Sequence, residues 1–386
     1  MAQTCWVVKL FVKKNMIGYA SICMKIKKDS KIVVAMSGGV DSSVVAAILK
    51  KKGYQVTGVY LQFWTDPKTD KKMAENKCCS RESMERAQRI ARKLQIPVCV
   101  LDVGEKFKEK VVDYFLDEHK EAKTPNPCIE CNKNIKFGAL LNWAKSMGAD
   151  FIATGHYAQM KQKKGIYELH KSKDKEKDQS YFLYKLTQDQ LKHVLFPIGH
   201  YTKKKVRKLA KKYGVVEAEK SKESQGVCFF PEKEPSEFLK RHLNQKHFKP
   251  GPIKTVEGGI IGEHEGLPLY TIGQRKGIKI GGTKNPLYVV GIDPKANTLI
   301  VGDNKHTFKK TLQIKDLVFQ AGKPKKEKIC VAAKIRHRFP DSSAILEING
   351  EKGTLTFKKE QRAVTKGQSA VFYKGSKILG GGEIVD

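Results

Sequence analysis

Lys31-Ile32-Val33-Val34-Ala35-Met36-Ser37-Gly38-Gly39-Val40-Asp41-Ser42-Ser43 decides the fold. Lys31 to Met36 reads as an apolar strand, and an apolar helical run from Val44 to Leu49 follows the turn. Two glycines let the backbone approach a ligand closely, and the Asp/Ser pair caps a helix whose first amides and dipole then face an anion. No Gly-Lys-[Ser/Thr] follows, so this is not the Walker phosphate loop. A lone Ser-Gly-Gly suits any tight turn. The full seven residues, set between strand and helix, point to a nucleotide site.

Outward from the loop, strands and helices alternate. A second strand is expected over Gln55 to Phe63, then a loop to Ser80 and a helix from about Glu82 to Leu94. A third strand spans Val98 to Val103, with a helix from about Gly104 to His119, and a fourth, Asp150 to Thr154, ends in Gly155-His156-Tyr157-Ala158. This alternation predicts an α/β doubly wound parallel-sheet domain, whose ligands sit at the carboxyl ends of the strands. Ser37, Leu61 and Gly155 all fall at such ends. His156 has two readings, an acid–base group or a structural hydrogen-bonding histidine.

The chain has 386 residues, enough for two or three domains. Hydrophobic residues make up 40%, too many for a disordered chain, and no run of about 18 apolar residues suggests a membrane span. The net charge of +34 points to a polyanionic partner, although Arg occurs only ten times and the lysines are spread along the whole chain, as compositional bias alone would leave them. In residues 1–29 lysines interrupt every apolar stretch and Arg is missing, so neither a signal peptide nor a mitochondrial presequence is expected. The segment reads as an extension outside the fold, with Met24 as an alternative start, and a cytoplasmic enzyme is the default.

Of nine cysteines, Cys99 and Cys330 alternate within strands and read as buried and inert; Cys78 and Cys79 sit in a polar loop; Cys5 and Cys23 fall in the extension. Cys128 and Cys131 differ. They lie in Thr124-Pro125-Asn126-Pro127-Cys128-Ile129-Glu130-Cys131-Asn132-Lys133, where two prolines force an extended approach and a helix is expected to begin just after. A helix N-terminus favours thiolate, so metal or redox chemistry is indicated. No second C-x-x-C is present, which argues against a four-cysteine zinc site. Cys228, in Lys222-Glu223-Ser224-Gln225-Gly226-Val227-Cys228-Phe229-Phe230, is expected on a short strand leaving a glycine turn. Alone it reads as a core thiol.

Together these segments resemble the bacterial tRNA-specific 2-thiouridylases, pyrophosphatase-loop ATP enzymes that place sulfur on the wobble uridine. The resemblance runs from about Lys31 to Asp386 through SGGVDSS at 37–43, TPNPCIECNKNIKF at 124–137, ATGHYA at 153–158 and KDQSYFL at 177–183. It continues with LFPIG at 195–199, KESQGVCF at 222–229, GLPLYTIGQRKGIKIGG at 266–282 and GQSAVFY at 367–373.

The resemblance implies adenylation of uracil O2 by ATP and displacement of AMP by sulfur. ATP would be held by Ala35, Met36, Ser37, Gly38, Gly39, Val40, Asp41, Ser42, Leu61 and Gly155, with Mg²⁺ on the pyrophosphate and Asp41 as its ligand. Cys228 would carry a persulfide, and Cys131 would assist sulfur release and close a disulfide with it, which requires a reductant. Asn126, Pro127 and Cys128 would meet the target base, and Lys177, Asp178, Gln179, Arg336 and His337 would contact tRNA. Better-known members carry Asp at position 128. Cys128 therefore opens a second route, in which Cys128, Cys131 and Cys228 hold a [4Fe–4S] cluster. Expected partners are tRNAs for Lys, Glu and Gln and a cysteine desulfurase or sulfur-relay protein, with a monomer and no membrane contact. The expected domains are a catalytic one over 30–235, a central tRNA-binding one, small and β-rich, over 236–307, and a C-terminal β-barrel over 308–386. The rivals are an amidotransferase-coupled adenylating synthetase, for which no glutaminase region is evident, and a non-catalytic RNA-binding protein on the same scaffold.

Overall fold

A computed structural model describes residues 26–69, 80–216, 226–281 and 285–386. The expectations for the extension before residue 26 and for Cys5, Cys23, Cys78 and Cys79 lie outside the described residues.

The chain runs through β1 (Lys31–Ala35), α1 (Val40–Lys51), β2 (Gln55–Gln62), α2 (Arg81–Leu94), β3 (Val98–Asp102), β4 (Phe151–Ala153), the hairpin β5 (Ala158–Lys163) and β6 (Ile166–Lys171), and β7 (Val194–Leu195). β3, β2, β1, β4 and β7 form one parallel sheet in that order. Ile32 and Val34 point into a core shared with α1, α2 and the helix Lys203–Lys212, while Val33 points into the other, against the helices over 104–120 and 127–146. Burial on both faces is why β1 is a continuous apolar run. Strand order reverses between β1 and β4, so the crevice of this doubly wound sheet opens beside Ser37 and Gly155.

One local expectation is refined and one needs correction. The helix expected just after the two prolines begins at the second of them, Pro127, and both thiols lie near its N-terminus: Pro127–Glu130 is α-helical, Cys131–Ala139 is wound as a π-helix, and Leu140–Ser146 returns to α. Proline at the first helical position lacks only an amide that would have had no intrahelical partner. Residues 226–235 form no strand. Consecutive Phe229 and Phe230 are both buried, which the two-residue alternation of a strand does not permit on one face.

The central module holds β8 (Gly251–Thr255), β9 (Ile260–His264), β10 (Tyr288–Asp293) and β11 (Thr298–Gly302), ordered β10, β11, β8, β9. The preceding helix Ser236–His242 packs Phe238 and Leu239 into the catalytic core. After it β12 (Phe308–Phe319), β13 (Lys328–Lys334), β14 (Ser342–Asn349), β15 (Lys352–Arg362), β16 (Ser369–Lys374) and β17 (Lys377–Ile384) close into a barrel through pairing of β12 with β17. The turn at Asn349-Gly350 joins β14 to β15, with Gly350 at φ +60°. Sequence reading missed the β5–β6 hairpin, which leaves the catalytic domain and pairs His170 with Lys377 on β17. Among the described residues no helix is long and apolar enough to cross a membrane.

Candidate active site

The phosphate loop is held by its own hydroxyls. Ser37 N–H donates to Ser42 Oγ at 3.2 Å, and the Ser42 and Ser43 hydroxyls donate to Gly39 O at 3.1 and 2.8 Å. Gly38 has φ +72°, and a Cβ there would stand 2.2 Å from Ser83 O on α2. Arg86, 8% exposed on the same helix, donates through Nε to Gly38 O at 3.2 Å. Gly155 serves close approach, since its Cβ would lie 3.0 Å from Ser42 N. Asp41 accepts from Tyr157 Oη at 2.9 Å, and its two oxygens stand 2.8 and 2.7 Å from Lys203 Nζ.

The crevice widens into a cavity of about 1380 Å³. Of the expected ATP residues, Ala35, Met36, Ser37, Gly39, Val40, Asp41, Ser42, Leu61 and Gly155 line it, while Gly38 faces α2. Pro127, Cys128, Cys131 and Cys228 line the same cavity, so three cysteines spaced over a hundred residues are brought together; Asn126 is not on its wall. Cys131 is 7% exposed, and Cys128 and Cys228 are half-buried. The approach to Pro127 is fixed from outside the domain, by Gln368 Nε2 donating to Thr124 O at 2.8 Å and by contact between the Thr124 and Thr271 hydroxyls at 2.9 Å.

Among the described residues no three Cys, His, Asp or Glu side chains converge to hold a metal ion. Cys128, Cys131 and Cys228 line one cavity without being grouped as a metal site in this conformation. Asp41, the expected magnesium ligand, is ion-paired with Lys203 through both oxygens.

Lys177, Asp178, Gln179 and His337 reach the cavity rim, and Arg336 does not. Asp178 is buried, accepting from Ser172 N–H at 2.8 Å and the Ser180 hydroxyl at 2.8 Å, and Gln179 Oε1 accepts from Tyr157 N–H at 3.0 Å. His337 Nε2 donates to Asp178 O at 2.8 Å and its ring lies 4.4 Å from Phe182, which ties the barrel to the rim. Arg336 instead joins the central module to the barrel, donating to Ile272 O at 3.1 Å and to the Thr365 hydroxyl. His156 is buried between Phe137 and Phe196, bonded to Thr154 Oγ1 at 2.8 Å, and burial pushes its pKa well below the usual imidazole range. Its ring also lines the cavity, held neutral by burial and fixed by Thr154.

Sequence reading missed Lys203, Arg86 and Lys136, all on the cavity wall. The signal for Lys203 was available. It shares its helical face with Val206, Leu209 and Ala210, an apolar phase in which a lysine is out of place.

Comparisons with known proteins match segments in all three domains. Residues 30–232 match a model described as a tRNA methyl transferase HUP domain, 236–303 a tRNA methyl transferase PRC-barrel domain, and 309–384 an aminomethyltransferase beta-barrel domain. Similar curated proteins include the tRNA-specific 2-thiouridylase MnmA of Clostridioides difficile (strain 630), 45% identical over 92% of this chain and 98% of that protein. That of Carboxydothermus hydrogenoformans is 46% identical over 92% and 97%, and MnmA 1 of Caldanaerobacter subterraneus subsp. tengcongensis is 44% identical over 92% and 98%.

Proposed function

The chain belongs to the tRNA-specific 2-thiouridylase family and is an ATP-dependent tRNA sulfurtransferase, and from that premise we propose how its residues divide the reaction. The domain descriptions speak of methyl transfer, whereas the whole-chain relatives are thiouridylases. A phosphate loop and two cysteine-bearing segments around one cavity suit sulfur transfer.

ATP enters as its magnesium complex. The loop over 35–42 and Gly155 bind it, with Lys203 and Arg86 bracing the loop from two helices. The wobble uridine enters beside Pro127 and Cys128, and its O2 attacks the α-phosphorus; pyrophosphate leaves, and C2 gains a leaving group in AMP. The terminal sulfur of a Cys228 persulfide attacks C2 and AMP departs. The Cys131 thiolate then attacks the Cys228 sulfur, which breaks the S–S bond to the base, releases 2-thiouridine and leaves a Cys131–Cys228 disulfide. A cellular dithiol reduces that disulfide, and a cysteine desulfurase or relay protein reloads Cys228. Cys128 contacts the base, and Lys177 and His337 meet tRNA at the rim.

The observation that carries this reading is the convergence of Cys131, Cys228 and the phosphate loop on one cavity. Cys228→Ser is expected to abolish 2-thiouridine, read by mass spectrometry of the tRNA, while tRNA binding persists. Normal turnover by that variant refutes the assignment.

A further inference from the structure

Residues 226–235 form neither strand nor helix, so no backbone ladder fixes the Cys228 thiol. Side chains on its C-terminal side take that place. Phe229 and Phe230 are buried against Phe115 and Phe238, with ring centroids 5.0 to 6.0 Å apart. Two residues on, Glu232 Oε1 accepts from Arg241 Nη1 at 2.8 Å. The same guanidinium donates through Nε to Asp66 Oδ2 at 2.9 Å, and its Nη2 stands 2.9 Å from that oxygen.

Asp66 is an unusual seat. It is 2% exposed and lies four residues past the end of β2, the strand whose Leu61 lines the cavity. Lys68 N–H and the Thr69 hydroxyl donate to it at 2.9 and 2.8 Å, and His242 Nε2 stands 2.9 Å from Oδ1. Burial pushes its pKa up, but bonds from His242, Thr69, Lys68 and Arg241 outweigh burial and hold it at about 2. A buried carboxylate with this many donors fixes the planar guanidinium in one orientation, unlike a surface pair that forms and breaks. The free end of that guanidinium points at the Cys228 segment.

We propose that Arg241 and Glu232 are positioning residues for sulfur transfer: Arg241, seated on Asp66, grips Glu232 and so holds the segment that presents Cys228 to the cavity. This inference rests on Cys228 as the sulfur carrier. The grip matters to the second half-reaction alone, because neither residue belongs to the phosphate loop or lines the cavity.

The test compares the full-length protein with Glu232→Ala, Glu232→Gln, Arg241→Ala and Cys228→Ser. Each, in excess over a tRNA transcript, is given MgATP, cysteine and a cysteine desulfurase for a single turnover, and the rates of pyrophosphate release and of 2-thiouridine formation are followed separately. Glu232→Ala and Arg241→Ala are expected to slow thiolation about tenfold or more while pyrophosphate release stays within about twofold. Glu232→Gln, which keeps an acceptor for Arg241, regains most of the rate. Glu232→Ala leaves the Asp66–Arg241 pair intact, so its result does not depend on surviving a buried unpaired charge. Unchanged thiolation in Glu232→Ala, or a parallel fall in both readouts, overturns the inference. An active Cys228→Ser overturns instead the reading beneath it.

Discussion

Asp41, Tyr157 and Lys203 join residues 116 and 162 positions apart into one support for the phosphate loop. Asp41 was legible as a loop residue because its role depends on neighbours in sequence. Lys203 was legible only as an oddity of phase, since nothing local says which carboxylate it meets. The pair is partly screened, at 11% and 30% side-chain exposure, so its worth is that of one charge-assisted contact rather than a fully buried pair. Lys203→Met is therefore expected to weaken ATP binding about tenfold, which corresponds to roughly 1.4 kcal/mol. Calorimetric titration with a non-hydrolysable ATP analogue reads this, and unchanged affinity would remove Lys203 from the site. Asp178 and Gln179 show the converse. Their motif was visible, but their side chains close the loop internally, and only the partners far along the chain reveal that.

At the scale of elements, strand, loop and helix over 31–51 were readable because hydrophobic runs and glycines lie within one short window; the expected Asp/Ser cap is not formed, since Gly39 is the N-cap and the Ser42 and Ser43 hydroxyls donate to its carbonyl instead. Gly38 is the point where the loop is least tolerant. A side chain there requires a left-handed backbone and meets Ser83 O at 2.2 Å. Gly38→Ala is expected to cost about 2–4 kcal/mol, seen as a lower urea midpoint, and an unchanged midpoint would mean that the loop does not pack on α2 as described. Where elements are set by distant partners the reading failed. The segment after Gly226 looked like a strand by composition, yet it is fixed by aromatic burial and one ion pair. The β5–β6 hairpin alternates weakly, and its pairing with β17 uses a partner some 200 residues away. The helix start was legible to within a residue or so, because the second proline, read as ending the extended approach, itself occupies the first helical turn.

The whole molecule wraps three domains around one turn of chain. Thr124 meets the barrel through Gln368 and the central module through Thr271, so the cysteines of 128–131 are aimed by parts of the protein that carry no nucleotide chemistry. The three-domain order was legible from composition and motifs, but these junctions were not, because each depends on single side chains. Part of the +34 charge now has a place. Lys175, Lys177, Arg207, Lys334 and Arg338 all line the cavity that holds the phosphate loop and the thiols. If these five engage phosphates, tRNA affinity falls with salt at a log–log slope of about −3 or steeper, and a flat dependence between 50 and 200 mM salt would deny the rim that role. The most direct test of the proposed division of labour is a single turnover without reductant, using enzyme whose Cys228 has been loaded as a persulfide, followed by peptide mass spectrometry. A disulfide-linked Cys131–Cys228 peptide pair forming in step with 2-thiouridine is the predicted result. Thiolated tRNA with both cysteines still reduced would contradict it.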